Sequence, residues 1–297
     1  MSAPRLSVVI PTRDRREVLR STLEALAEQD GFEPGELEVV VADDGSSDGT
    51  AELLAASRPS AFQLRSVRLA GAGPATARNR AIALATAVRI LLLGDDTPPY
   101  SGTLAAHLTA AADSDVGTQG PIEWDPERRV TPVMDFLAPA GPQFYFKGLK
   151  SGRAIPYTAV LGSNLCAPRS WFLEDPFDEA FPAAAFEDTE LAYRWKRKGH
   201  RVLFAASAVC RHRHLYESID SFLARQRRAG QAARYSVRQH PAMLGRTVLQ
   251  PLVVGAAIAA RHGLRTLTGR GRRTDHWDLM TRHAFFGGFF DTRRDYS

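Results

Sequence analysis

The sequence predicts an α/β fold in which a mostly parallel sheet carries helices on both faces. Three observations predict it. Short β-branched runs alternate with stretches of helical apolar spacing through the first third of the chain, and alternation of this kind builds parallel sheets buried on both sides. Turn-forming glycine and aspartate clusters separate the two kinds of stretch. The chain has 297 residues, 44% of them hydrophobic, which supports a large core without staples.

The elements follow in order. Leu6–Ile10 (LSVVI) ends at Pro11 and reads as a buried strand. Arg15–Glu28 reads as a helix, with Val18, Leu19, Leu23, Leu26 and Ala27 at helical spacing. Glu38–Ala42 is the second strand, and Asp43-Asp44-Gly45-Ser46-Ser47 is a turn in which Ser46 or Ser47 caps the helix carrying Leu53 and Leu54. Leu64–Leu69 is a weaker strand, and the loop Gly71-Ala72-Gly73-Pro74 leads into an alanine-rich helix ending near Val88. Arg89–Leu93 is the fourth strand and runs into Gly94-Asp95-Asp96. Residues 119–158, with six prolines and no clear period, read as a long loop or β-ribbon excursion over a site. Ala159–Ala167 is a strand, Phe181–Phe186 a loop, Asp188–Lys198 a helix and Arg201–Ala205 a strand. Ile219, Phe222, Leu223, Ala229 and Ala233 then recur at helical spacing.

Composition excludes several classes. Two cysteines, Cys166 and Cys210, both in apolar stretches, exclude a disulfide framework and predict buried free thiols. The N-terminal run lacks the length of a signal peptide, and the nine-residue run Leu252–Ala260 is short of the ~20 residues a spanning helix needs, so no transmembrane segment is expected. The net charge of +5 hides a division: residues 1–210 balance to −5, while 211–297 hold 16 Arg, no Lys and a balance of +10. Such a segment suits either a solvated helix pair or an anionic surface. Nucleic acid is not expected, because no recognition motif accompanies the arginines. High arginine and alanine with four lysines suggest a bacterial chain.

Chemistry concentrates at strand ends. In open parallel sheets, ligands bind beyond the carboxyl ends of strands. Asp43-Asp44 follows the second strand and Asp95-Asp96 the fourth. Four carboxylates at one sheet edge call for a cation, and oxygen ligands suit Mg²⁺ or Mn²⁺. Each pair alone would also suit a turn; together they point to a metal–nucleotide site.

In order, the segments SVVIPTRDR, VVADDGSSDGT, GPATARNRAI, LLLGDDTPP, FEDTELAYRWKRKGH and HRH resemble the family-2 glycosyltransferases of the GT-A fold over roughly residues 5–240. The resemblance implies a GT-A catalytic domain over 1–210, with a nucleotide-binding half to about 118 and an acceptor half over about 119–210, followed by a helical basic extension over 211–297. It implies that Pro11, Thr12 and Arg13 hold the nucleotide, that Asp44 with Asp43 beside it meets the base, and that Arg78 lies near base or diphosphate. It puts Asp96 as metal ligand and Asp95 as ribose or sugar contact, with Gly94 standing where the family often has a further carboxylate. Asp188 matches the general base, with Glu187 the next choice. His212 or His214 matches a metal-ligating or diphosphate-contacting histidine, His212 being preferred. Trp124 and Trp171 are either core residues or stacking platforms for an acceptor sugar.

The implied activity is metal-assisted transfer, with inversion, of a hexosyl or deoxyhexosyl group from a nucleotide diphosphate sugar to a hydroxyl of a saccharide, lipid-linked or small-molecule acceptor, as in polysaccharide or glycoconjugate synthesis. The expected compartment is the cytoplasm, with peripheral contact at the inner face of the membrane as an open alternative. A nucleotidyltransferase acting on sugar phosphates fits less well, since the loop PTRDRRE has neither glycine nor lysine for a triphosphate. A non-catalytic membrane-surface protein on the same fold would be marked by loss of Asp96 and Asp188, and both are present.

Overall fold

In the computed structural model, the structure describes residues 4–112, 115–139, 141–144, 146–181, 185–267 and 272–292. Residues 182–184 of the expected loop, and Arg270 of the basic extension, lie outside them.

The nucleotide half alternates regularly. Strand β1 (Leu6–Thr12) leads to α1 (Arg16–Ala27), β2 (Leu37–Asp43) to α2 (Thr50–Ala56), and β3 (Gln63–Arg68) to α3 (Pro74–Leu84). Then come β4 (Arg89–Leu93), α4 (Thr103–Ala110), β5 (Gly117–Gln119), β6 (Ile122–Trp124) and α5 (Pro132–Leu137). The second half adds β7 (Asn164–Pro168), α6 (Arg169–Glu174), α7 (Glu187–Arg197), β8 (Val202–Phe204) and β9 (Cys210–His212). Three long helices close the described chain: α8 (Asp220–Gln239), α9 (Gln250–Leu267) and α10 (Arg273–Phe289).

The main sheet has the order β3-β2-β1-β4-β7-β5-β8, and β6 pairs with β9 in a small second sheet. Side chains alternate across the sheet with the pleat. Val9, Val40 and Leu92 meet α3, α6 and α7 through Ile82, Trp171 and Leu191. Val8, Ile10 and Leu91 meet α1 and α4 through Leu19, Leu26 and Leu104. Cys166 and Cys210 are free and buried, and burial pushes the Cys166 thiol up to about 11.

Four expectations change. The strand expected at Ala159–Ala167 begins at Asn164, after a 3₁₀ turn over Tyr157–Ala159, and runs antiparallel to β4 and β5. Its apolar residues fill the sheet centre in either direction, so the pattern does not encode the sense. Neither Ser46 nor Ser47 caps α2. Asp48 Oδ1 accepts from Thr50 N at 3.1 Å and Thr50 Oγ1 at 2.6 Å, and Gly49, left-handed at φ +86°, precedes the helix. Ser46 Oγ instead accepts from Asp14 N at 2.9 Å, tying the β1 loop to the β2 turn. The excursion over 119–158 contains β6 and α5 rather than loop alone. Finally, the apolar run of the extension is part of a longer helical stretch. Among the described residues, Pro241–Thr266 is 26 residues long and apolar enough to cross a membrane by length and composition. The uninterrupted-run count stopped at Pro251 and Arg261, which helical geometry carries through.

The extension is packed onto the rest of the chain. Tyr216, Ile219, Phe222 and Trp277 form one cluster with Val133, Met134 and Leu137 of α5. α8 and α10 approach backbone to backbone through two glycines. A Cβ on Gly230 would lie 1.9 Å from Phe285 O, and one on Gly288 1.9 Å from Arg227 O, so only glycine fits either side of the crossing.

Candidate active site

The donor edge is built from the carboxyl ends of β1, β2 and β4, where a parallel sheet leaves strand ends and loop amides open. Thr12, at the end of β1, donates from Oγ1 to Asp95 Oδ2 at 2.8 Å. Arg15, which the sequence reading did not single out, forks across both acids, with Nη1 2.7 Å from Asp95 Oδ1 and Nη2 2.9 Å from Asp96 Oδ2. His212 Nε2 lies 3.4 Å from Asp96 Oδ2, and its Nδ1 is buried without a hydrogen-bond partner. Burial pushes Asp96 up, but His212 and Arg15 more than offset it and hold the carboxyl below the usual range. At Asp95 burial prevails over Arg15, and the carboxyl is pushed up to about 6.

Gly94 has a steric reason. A Cβ there would lie 2.9 Å from Thr97 Oγ1 and 3.0 Å from Asp96 Oδ1, so a side chain at that position would have to displace these two side chains. Asp96 and His212 together supply an oxygen and a nitrogen, a donor pair that suits a divalent ion whose remaining ligands come from a diphosphate. Among the described residues, no group of three or more His, Cys, Asp and Glu side chains gathers to hold an ion by itself. His214 stands beside this pair, its ring centroid 5.9 Å from that of His212 and 4.3 Å from that of Tyr216. Burial and the charge of His212 lower its pKa.

The base-binding side separates Asp43 from Asp44. Asp44 spends both oxygens on the glycine loop, accepting from Ala72 N at 2.6 Å and Gly73 N at 2.9 Å. Asp43 accepts from Ser46 N at 2.9 Å through Oδ1, while Oδ2 is buried without a hydrogen bond, 4.0 Å from Arg68 Nε. Pro11 is half-buried at the end of β1, and Arg13 is exposed, 3.7 Å from Asp14.

The second constellation sits at the start of α7. Phe186 takes a left-handed φ of +74°, rare for a bulky residue, and turns the chain into the helix. Glu187 Oε1 pairs with Arg78 Nη1 at 2.6 Å, and Arg78 also lies over the Phe177 ring at 5.2 Å. Glu187 Oε2 and Arg78 Nε are both buried without a hydrogen bond. Half-buried Asp188 accepts from Gly162 N at 2.9 Å and from Thr189 N at 2.8 Å. Burial and the like charge of Glu187 push its pKa up, against Gly162 N–H and Arg78.

One dipeptide joins the two sides. Gly162 N donates to Asp188, and Ser163 O accepts from Thr97 Oγ1 at 3.1 Å, on the loop that carries Asp95 and Asp96. A Cβ on Gly162 would stand 3.6 Å from both Arg78 Nη2 and Asp188 Cβ, so both side chains pack directly against this residue. Trp171 is a core residue, stacked on His200 at 4.0 Å. Trp124 is half-buried, donates from Nε1 to Met134 O at 2.8 Å, and lies 5.3 Å from the His212 ring.

This geometry has counterparts. Residues 7–149 match the family described as Glycosyl transferase family 2. The chain is 32% identical over 111 residues to a PGL/p-HBAD biosynthesis glycosyltransferase of Mycobacterium tuberculosis, covering 37% of this chain and 42% of that protein. It is 32% identical over 222 residues to a validoxylamine A glucosyltransferase of Streptomyces hygroscopicus, covering 66% of this chain and 49% of that one. The chain thus spans less than half the length of these curated relatives. Among solved structures, a mannosyltransferase from Pyrobaculum calidifontis in complex with GDP-Man and Mn²⁺ superposes with a TM-score of 0.69 at 19% identity, covering 98% of this chain and 89% of the other. TarS of S. aureus in complex with UDP gives 0.58 at 17% identity, covering 99% and 93%. The strand order, the two acidic strand ends and the matched segment agree: residues 7–149 match glycosyltransferase family 2, and the fold is GT-A.

Proposed function

We propose that this protein is an inverting glycosyltransferase that moves a hexosyl or deoxyhexosyl group from a nucleotide diphosphate sugar to an acceptor hydroxyl. The observation that carries the reading is the Gly162-Ser163 link, which sets Asp188 and the Asp95-Asp96 loop on two sides of one dipeptide. Asp188 is the general base. A carboxylate within hydrogen-bond reach of the acceptor hydroxyl takes its proton as the new bond forms. Glu187, engaged by Arg78, holds that arginine beside the site and keeps the base poised by its like charge. With one base on one face, displacement proceeds in a single step with inversion.

On the donor side, the backbone of Pro11, Thr12 and Arg13 and the loop fixed by Asp44 form the nucleotide cradle. Asp43, with an oxygen still unbonded, meets the base. Asp95 meets ribose or sugar. Asp96 and His212 would hold Mn²⁺ or Mg²⁺, with His214 beside them, and such an ion supplies charge neutralisation to the departing diphosphate. We place catalysis in residues 1–210, with 211–297 as a helical extension that completes the acceptor side. Saccharide, lipid-linked and small-molecule acceptors all remain within this reading, as does a cytoplasmic location.

A peripheral membrane contact is favoured by α9. Leu249, Val253 and Val254 are exposed, and only 17% of the apolar window within Pro241–Thr266 is buried. Arg261 and Arg265 pair with Asp275 at 3.1 and 2.6 Å, which holds this helix along α10 and favours lying on a bilayer over crossing one.

The test is nucleotide-dependent thermal stabilisation across UDP, GDP, ADP and TDP, with and without Mn²⁺, followed by NMR assignment of the product anomer. At least one nucleotide stabilises the protein, Asp96→Asn removes the Mn²⁺-dependent part, and the product anomer is inverted. Stabilisation by no nucleotide, or retention of configuration, overturns the reading.

A further inference from the structure

The extension and the catalytic body form a half-open cavity of about 240 Å³ beside the start of α7. Its walls include Phe186 and Thr189, on either side of Glu187-Asp188, Thr247 at the root of the long apolar helix, and Thr281, Phe285 and Phe286 on α10. Three features define what it can hold.

One lining residue, Thr189, contacts the proposed base. Thr189 donates its backbone N–H to Asp188 Oδ1 at 2.8 Å, and its hydroxyl lies 3.5 Å from the same oxygen. Two of its three charged lining residues, Arg282 and Asp278, are matched to each other. Arg282 pairs with Asp278 at 3.4 Å and donates to Pro251 O at 3.1 Å, so this part of the lining is not prepared for an anion. Two buried hydroxyls, however, are unmatched. Thr247 and Thr281 are 5% and 4% exposed, and neither Oγ1 has a hydrogen-bond partner. Buried polar groups are nearly always paired, so these two hydroxyls call for a partner, water or a ligand atom. Aromatic walls with two waiting hydroxyls suit a mostly apolar group carrying one or two polar atoms.

Taking Asp188 as the base, as the proposed function does, we propose that this cavity is the acceptor's aglycone subsite: it binds the apolar aglycone of a glycoside acceptor and so presents the sugar hydroxyl to Asp188. A cavity of about 150 Å³ accommodates a benzene ring, so a phenyl ring or the first segment of an alkyl chain fits. The wall at Thr247 and Pro251 lies at the foot of the exposed apolar stretch, and an alkyl aglycone would leave the cavity toward it.

The probes are methyl, phenyl and octyl β-D-glucopyranosides, the last below its micelle-forming concentration, titrated calorimetrically into the full chain. Phenyl or octyl glucoside should bind at least tenfold more tightly than methyl glucoside. A gain for phenyl alone assigns an aryl aglycone, and a gain for octyl a lipid chain. Thr281→Phe, which fills the cavity, should erase the gain and leave nucleotide-induced thermal stabilisation unchanged. If that variant does not fold, Thr247→Phe fills the opposite wall and Thr281→Val removes one unmatched hydroxyl at constant volume, with weaker phenyl-glucoside binding and an unchanged or higher Tm expected. Equal binding of the three glucosides overturns the proposal. So does a gain that survives cavity filling, since the apolar group would then be sitting on the exposed helix. Failure of every nucleotide to bind strikes the donor-site reading instead, and the glucoside series is read independently of it.

Discussion

The donor edge and the acceptor side of this molecule are finished to different degrees. At the donor edge nearly every acid has an internal answer: Thr12 and Arg15 for Asp95, Arg15 and His212 for Asp96, two loop amides for Asp44. On the acceptor side polar atoms are left over: Glu187 Oε2, Arg78 Nε and the hydroxyls of Thr247 and Thr281. Local sequence explains the contrast. Strand ends and their turns place the donor acids at one edge of one sheet, whereas the acceptor side is assembled from the separate helices α3, α7 and α10. Asp43 Oδ2 and His212 Nδ1 are unpaired at the donor edge as well, so both regions leave atoms for a ligand, the donor edge among acids that are otherwise tied.

The largest expected effect tests whether the two regions separate functionally. Asp188→Asn keeps size and hydrogen bonding but removes the proton acceptor. Turnover should fall by about 10²–10⁴, the scale of general-base catalysis, while nucleotide affinity measured by calorimetry stays within error. Equal loss of both would merge the two regions into one.

Next comes the scaffold of the acceptor side. Gly230→Ala or Gly288→Ala drives a methyl into backbone at the crossing of α8 and α10. Overpacking of this kind costs about 1–3 kcal/mol, read as a lowered denaturation midpoint. Activity should suffer more than nucleotide binding, and an unchanged midpoint would show that the helices are free to separate.

A smaller effect concerns pH. Asp188 acts ionised, and burial with Glu187 raises its pKa, so kcat/KM should decline on acidification at a pH above the ordinary carboxylate range. Glu187→Gln removes the like charge and also releases Arg78 from its ion pair. Both changes favour the ionised base, so the acid limb should move to lower pH. A limb that stays put assigns it to another group.

The smallest effect is on membrane contact. Co-sedimentation with vesicles containing anionic lipid should exceed that with neutral vesicles, and should weaken as salt rises and when Val253 becomes aspartate. No sedimentation with anionic lipid at low salt ends that reading.

The sequence showed the donor half well because its signals are local. Runs such as LSVVI and RILLL have the right length and branching for strands, and acids directly after them can point only to the open sheet edge. Arg15 is not legible because PTRDRRE offers three arginines in seven residues, and nothing in that string distinguishes the one that forks Asp95 and Asp96 from its neighbours. Asp44, expected at the base, also accepts from two amides of the glycine loop, a tertiary contact that adjacency in sequence cannot order. The antiparallel sense of β7 escaped because a buried apolar strand reads alike from either end. The acceptor cavity was invisible because its walls belong to residues that only folding brings together.

Phe186 ties these observations into one dependency. Its left-handed backbone carries a cost of about 1–3 kcal/mol for a residue of this kind. The surrounding contacts that offset it come from two sources, since the ring packs both against the main core and against the small cluster of Ala233, Val248 and Phe289 in the extension. The aim of the catalytic carboxylate two residues later is therefore underwritten jointly. A molecule in which the last helices have not yet seated would present a complete nucleotide cradle and an unaimed base, so it would hold donor without spending it. Under the proposed function, seating of the last helices would set the aim of Asp188 through this one backbone angle.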